Sequence, residues 1–270
     1  MTIKALQEKK EPIVCLTAYT APIAHIADAH CDLILVGDSV AMVLYGEDTT
    51  QNADVEMMIR HGKAVTKAAT KAIVIVDMPF GSYEASKEQA LENAQRIMSE
   101  TGCDGVKLEG GAAMANTIAY LVEHNIPVMG HIGLLPQSVD SPSGFKVKGK
   151  DVQGAQQLMQ DAAAVEEAGA FCFVIEAVPP ELAAAITGKV GIPTIGIGAS
   201  AACDGQILVT EDMIGMSDRK APKFVKQFAQ IHENIEAAIQ GYAQEVQSGA
   251  FPAEENLYSQ ASKPLLKKAS

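Results

Sequence analysis

Seven polar side chains stand where apolar runs stop. They are Asp38 and Ser39 after "LILVG", Asp77 after "AIVIV", Lys107 and Glu109 in "GVKLEGG", His131 in "PVMGHIGL" and Glu176 after "FCFVI". One carboxylate closing an apolar run is commonly a helix cap. Four of them at the ends of four strands would converge and repel unless a cation or protons compensated. Oxygen ligands with no cysteine and one neighbouring histidine suit a hard ion such as Mg2+, which keeps several waters and leaves positions for substrate oxygens. Asp38, Asp77 and Glu109 are the expected ligand set. Lys107 lies two residues from Glu109 and shares its face, so it either pairs with Glu109 or offers its charge to a substrate carboxylate or a developing enolate. His131 by itself reads as a buried core histidine, and Glu176 as a general base or as a cap for "PPELAAAIT".

The elements that must position these residues are eight short apolar runs, starting near 13, 33, 72, 105, 127, 171, 193 and 206. They are nearly continuous rather than alternating, the pattern of parallel strands covered on both faces. Helical segments separate most of them. "SKEQALENAQRIMSETG" opens on Ser86 with Gln89 three residues on, a capping-box pattern, carries Ala90, Ala94, Ile97 and Met98 on one stripe and stops at Gly102. "VEMMIRHGKAVTKAA", "DVQGAQQLMQDAAAVEEAG" and "PPELAAAITGKVG" read the same way. A strand every 27 residues or so, about one βα unit each, predicts a (β/α)8 barrel, with a doubly wound open sheet as the structural alternative. In a barrel the strand ends share one rim, where active sites are found. Two long strand-following connections, 40–54 and 135–150, are candidate lids over that rim. Beyond 221, Phe224, Phe228, Ile231, Ile235, Ala238, Tyr242 and Val246 predict one long amphipathic helix, either closing the barrel or facing another subunit. The whole chain, 1–270, reads as one barrel domain with a short N-terminal extension, that C-terminal helix and a frayed tail.

With 21 basic against 33 acidic residues the formal net charge is −12, which opposes binding to nucleic acid or anionic membrane. The five cysteines are dispersed and include no C-x-x-C pair, and the start "MTIKALQEKKEP" has no apolar core, so a reducing cytoplasm is expected. No P-loop, G-x-S-x-G or H-E-x-x-H occurs. "GIGASA" matches G-x-G-x-x-A in form, but an apolar strand rather than a helix follows it, which argues against a dinucleotide site.

"VGDS", "DMPF", "VKLEGG", "GHIGLLPQSV", "GFKVKGKD", "IEAVPPELA" and "IGIGASAACDGQILV" together resemble the ketopantoate hydroxymethyltransferase family, in order, from about residue 12 to about 255. The resemblance implies a (β/α)8 barrel of the phosphoenolpyruvate mutase and isocitrate lyase kind. It implies hydroxymethyl transfer from 5,10-methylenetetrahydrofolate to 3-methyl-2-oxobutanoate in pantothenate synthesis, one Mg2+ per subunit, and a homo-oligomer, decameric in the family. On matching positions it makes Asp38, Asp77 and Glu109 metal ligands, Asp38, Ser39, Asp77 and Lys107 substrate contacts, Glu176 the proton acceptor and His131 its neighbour. Divergence is confined to the two tails and residues 45–55. Two alternatives stay open: a lyase or mutase of the same superfamily, which would need no folate, and a non-catalytic barrel subunit.

Overall fold

The computed structural model describes residues 1–139, 145–217 and 221–258. Eight parallel strands close into a barrel in chain order: β1 (Ile13–Thr17), β2 (Leu33–Val36), β3 (Ile73–Asp77), β4 (Gly105–Lys107), β5 (Val128–Gly133), β6 (Cys172–Glu176), β7 (Thr194–Ile197) and β8 (Gly205–Leu208). All eight expected strands are present, and the open-sheet alternative is excluded because β8 pairs with β1. The helices are α1 (Ile3–Gln7), α2 (Ala21–Ala27), α3 (Val40–Val43), α4 (Val55–Ala68), α5 (Lys87–Thr101), α6 (Ala115–Glu123), α7 (Val152–Glu167), α8 (Pro180–Thr187), α9 (Thr210–Met213) and α10 (Ile231–Ser248).

The continuous apolar runs follow from a two-residue period with both phases buried. Ile13, Cys15, Leu33, Leu35, Ile73, Ile75, Cys172 and Val174 fill one core inside the barrel, while Ile34, Val36, Val74, Val76, Phe173 and Ile175 pack in a second core under the helices. Continuing the inward phase by one step places Asp77 after Ile75 and Glu176 after Val174. The same step runs from Gly105 through Lys107 to Glu109, and from Met129 to His131. Polar side chains thus take over the interior where the apolar layers end.

Helix boundaries follow local chemistry. Ser86 Oγ accepts from Gln89 N at 3.1 Å, and Gly102, at φ 72°, ends α5 in the left-handed conformation that a side chain disfavours. The predicted capping box is off by one residue, since Gln89 Oε1 accepts from Ala85 N and not from Ser86 N. Asp54 and Asp151 cap α4 and α7.

The predicted long helix from 221 begins only at Ile231. Phe228, Ile231 and His232 donate their backbone N–H groups to Met213, Ile214 and Gly215, and this clamps the preceding segment in an irregular path. Phe224 instead packs against Gly198 beyond β7. No residue of α10 is buried, so this helix does not close the barrel. Correspondingly, Val14 of β1 and Gln206 of β8, paired in register, are exposed on the barrel's outer face. The expected frayed tail lies largely outside the described residues.

Candidate active site

The C-terminal rim encloses a cavity of about 670 Å³ lined by all seven residues singled out above, Asp38, Ser39, Asp77, Lys107, Glu109, His131 and Glu176. Asp77 and Lys107 are register partners on β3 and β4, and their side chains form a buried ion pair at 2.9 Å. Lys107 therefore pairs with Asp77, not with Glu109, because adjacent strand ends bring those two side chains level. Asp77 Oδ2 also accepts from Asp38 N at 3.0 Å, which turns the chain sharply after β2. Ser39 Oγ lies 2.8 Å from the Tyr19 hydroxyl.

His131 stands between two carboxylates, with Nδ1 at 3.3 Å from Glu109 and Nε2 at 3.2 Å from Glu176. Burial disfavours its charge, but Glu109 and Glu176 outweigh that and push its pKa up to about 9, which favours the protonated ring between the two carboxylates. It thus bridges two carboxylates, where by itself it read as a core histidine and the resemblance made it the neighbour of Glu176. Glu176 is the last residue of β6, and the backbone there is tightly placed. Gly133, its register partner, has φ 96°, and a side chain at that position would strike the Glu176 carbonyl. Ala177, the next residue, holds φ 49°, a strained conformation of the kind found at functional sites.

The electrostatics are unbalanced toward negative charge. Burial, then the charges of Asp77 and Glu109, raise the pKa of Asp38 well above the carboxylate range. Burial raises that of Asp77 too, against the attraction of Lys107. Burial also opposes ionisation of Glu109, yet His131 and Lys107 hold its pKa below the ordinary value. Lys107, surrounded by Asp77, Glu109 and Asp38, has its pKa raised although burial alone would lower it. An all-oxygen donor set with surplus negative charge fits a hard divalent cation that keeps part of its water shell. Among the described residues no three histidine, cysteine or acidic side chains converge closely enough to hold an ion by themselves. The oxygens are already engaged: Lys107 takes Asp77 Oδ1, and Gln137 takes Asp38 Oδ2 and Glu109 Oε2.

Gln137 was not singled out from the sequence, nor were Tyr83 and Tyr19, and Phe224 was assigned to a helix stripe and not to this cavity. A glutamine in "LPQSV" carries no local sign that it will be 2% exposed and bonded to two strand-end carboxylates. Of the candidate lids, 40–54 is folded down. Thr50 and Ala53 are buried, and Gln51 donates to the Gln137 carbonyl at 2.9 Å. In the other, Phe145, Lys146 and Val147 line the cavity, and residues 140–144 lie outside the described part.

Comparison with solved structures defines the class first. The chain superposes on phosphonopyruvate hydrolase with a TM-score of 0.62 at 14% identity, covering 96% of this chain and 92% of that one. It superposes on 2,3-dimethylmalate lyase, a PEP mutase/isocitrate lyase superfamily member, with a TM-score of 0.60 at 14% identity, covering 97% and 90%. The fold is the barrel that these two enzymes share. The family profile of ketopantoate hydroxymethyltransferase matches residues 1–254. The 3-methyl-2-oxobutanoate hydroxymethyltransferases of Anaplasma marginale (strain St. Maries) and Chelativorans sp. (strain BNC1) are 55% and 54% identical, over 96% and 95% of this chain and 94% and 91% of theirs. The chain belongs to the ketopantoate hydroxymethyltransferase family.

Proposed function

We propose that the chain transfers a one-carbon unit from 5,10-methylenetetrahydrofolate to C3 of 3-methyl-2-oxobutanoate, with uptake of one water, giving 2-dehydropantoate and tetrahydrofolate. The observation that carries this reading is the His131 bridge, which joins Glu176 to Glu109 in a cavity also lined by Lys107, Asp38 and Asp77. Asp38, Asp77 and Glu109 would hold a Mg2+ ion, which when bound supplies Lewis-acid polarisation of the 2-oxo acid.

Glu176 removes the C3 proton, and its carboxylate is oriented for this by His131 Nε2, 3.2 Å away. Lys107 lends a fixed positive charge to the enolate that develops, in a buried setting where such a charge acts strongly. Ser39 lines the same cavity and would contact the 2-oxo acid. The cavity, about 670 Å³, is far larger than a five-carbon acid needs, which leaves room for a second substrate. The carboxylates would accept Mn2+ or Co2+ as well as Mg2+.

The reading extends to assembly: the chain forms a homo-oligomer, the decamer of its family. The unburied apolar stripe of α10, Ile235, Ile239, Tyr242 and Val246, and the uncovered outer face of β1 and β8 support this. Among the described residues no helix is long and apolar enough to cross a membrane.

Proton NMR of 3-methyl-2-oxobutanoate in deuterated buffer tests the enolising half. Mg2+-dependent loss of the C3 signal, stopped by chelator and by Glu176→Gln, is the expected result. Exchange that survives Glu176→Gln removes Glu176 as the base, and silence with tetrahydrofolate present favours a sister lyase or mutase chemistry.

A further inference from the structure

We propose that Gln137 is the positioning residue of this site: it holds Asp38 and Glu109 in one arrangement, and cation affinity and turnover both depend on it. The inference rests on the Mg2+ site proposed above and, for its catalytic half, on the reaction proposed above.

Gln137 sits on the 3-10 turn Pro136–Ser138 just beyond β5 and is buried. Its side-chain amide offers two N–H donors and one acceptor oxygen. Nε2 donates to Asp38 Oδ2 at 2.7 Å and to the Met78 carbonyl at 2.9 Å, so both donors are used. Oε1 accepts from the Tyr83 hydroxyl, whose oxygen accepts from Glu109 N at 3.2 Å. A flipped amide would set its oxygen against a carboxylate and a carbonyl, so only one orientation satisfies every group. The backbone of the same residue completes the arrangement, since Gln137 N donates to Glu109 Oε2 at 3.0 Å.

One residue therefore fixes a carboxylate from the end of β2 with its side chain and another from beyond β4 with its main chain. It spans strand ends that do not pair with each other. Gln51 fastens the 40–54 connection to the same residue through the Gln137 carbonyl. A fully satisfied buried network of this kind rigidifies what it touches, and losing one member is costly. Partners that orient metal-binding side chains from behind typically change metal affinity or activity by about 10- to 100-fold when removed.

The test compares wild type with Gln137→Met, which keeps the length but loses both donors and the acceptor, and with Tyr83→Phe, which removes only the hydroxyl. Mg2+ affinity is read by isothermal titration, C3 proton exchange is read as kcat and KM, and thermal melting checks the fold. Gln137→Met is expected to weaken Mg2+ binding and lower kcat by about 10- to 100-fold. Tyr83→Phe is expected to move both the same way by less, because the bond to Asp38 remains. A residue that merely stabilised the fold would lower the melting temperature and leave the Mg2+ affinity of the folded protein intact. Gln137→Met that melts like wild type and changes Mg2+ affinity and kcat by less than about threefold overturns the proposal. Should Gln137→Met not fold, an unchanged Tyr83→Phe overturns it. Wild type that binds Mg2+ without exchanging C3 defeats the proposed reaction, and the affinity comparison still decides the role of Gln137. Wild type that binds no Mg2+ defeats this proposal.

Discussion

Replacing Lys107 with Met removes the one ammonium among three buried carboxylates. Lys107 Nζ lies 2.9 Å from Asp77 Oδ1, with side-chain exposures of 4% and 3%. At an effective dielectric constant of about 20 the attraction amounts to about 6 kcal/mol, offset by several kcal/mol of desolvation. Without the cation, Asp77 either stays charged beside Asp38 and Glu109 or folds as a neutral acid. Protonation is the less costly route. From the ordinary carboxyl value of 3.8, it costs about 1.4 kcal/mol per pH unit, or at most about 4 kcal/mol at pH 7, less what wild type already gives up through the raised pKa of its own Asp77. That agrees with the 3–5 kcal/mol, roughly, lost when one partner of a buried pair is deleted. The sign follows from the raised pKa: stability is fully present below the unfolded value and lost as pH rises. The penalty therefore shrinks to about 2 kcal/mol at pH 5 and vanishes near pH 4. Urea unfolding of wild type and Lys107→Met in chelator at pH 5, 6 and 7 measures it. A loss under about 1 kcal/mol at pH 7, or one that does not shrink with acid, refutes the reasoning.

Glu211 is 6% exposed, and its Oε2 accepts no hydrogen bond among the described residues. Burial pushes its pKa up to about 7, so its contribution is lost as pH rises through 7. Glu211→Gln should gain roughly 1–3 kcal/mol at pH 8 and little at pH 5 in parallel denaturant melts. Asp28 behaves oppositely. Burial opposes its charge, but the N–H groups of Ala72 and Lys71, each at 2.8 Å, and the Thr70 hydroxyl hold its pKa near 2. Asp28→Asn should cost about 1–2 kcal/mol at pH 7 after allowance for solvent screening, and the difference should fade as pH falls from 4 to 2. Shortening the 40–54 connection should lower turnover more than Mg2+ affinity, and a shortened variant with unchanged turnover would remove the lid role from that segment.

Much of this architecture is local and so was legible in the chain. The runs "LILV", "IVIVD" and "CFVIE" are apolar in both phases because each strand is buried on both faces, and that pattern needs no partner to be recognised. The two-residue period then carried Asp77, Lys107 and Glu176 to the inner face at the rim, and all seven candidate residues do line one cavity. The resemblance named the family correctly for the same reason, since its motifs are strand ends and the turns after them.

Tertiary structure decided how those side chains are shared out. Register between β3 and β4 gave Lys107 to Asp77 and not to Glu109. Register between β5 and β6 set His131 within reach of Glu176, a contact that the residue pattern alone did not show. Gln137 acquired its place from contacts 28 and 99 residues away in sequence, and α10 started late because Met213, Ile214 and Gly215 captured the backbone before it. Periodicity fixes which way a side chain faces within its own element. Which partner meets it depends on strand register and loop closure, and these are set by packing between segments far apart in the chain.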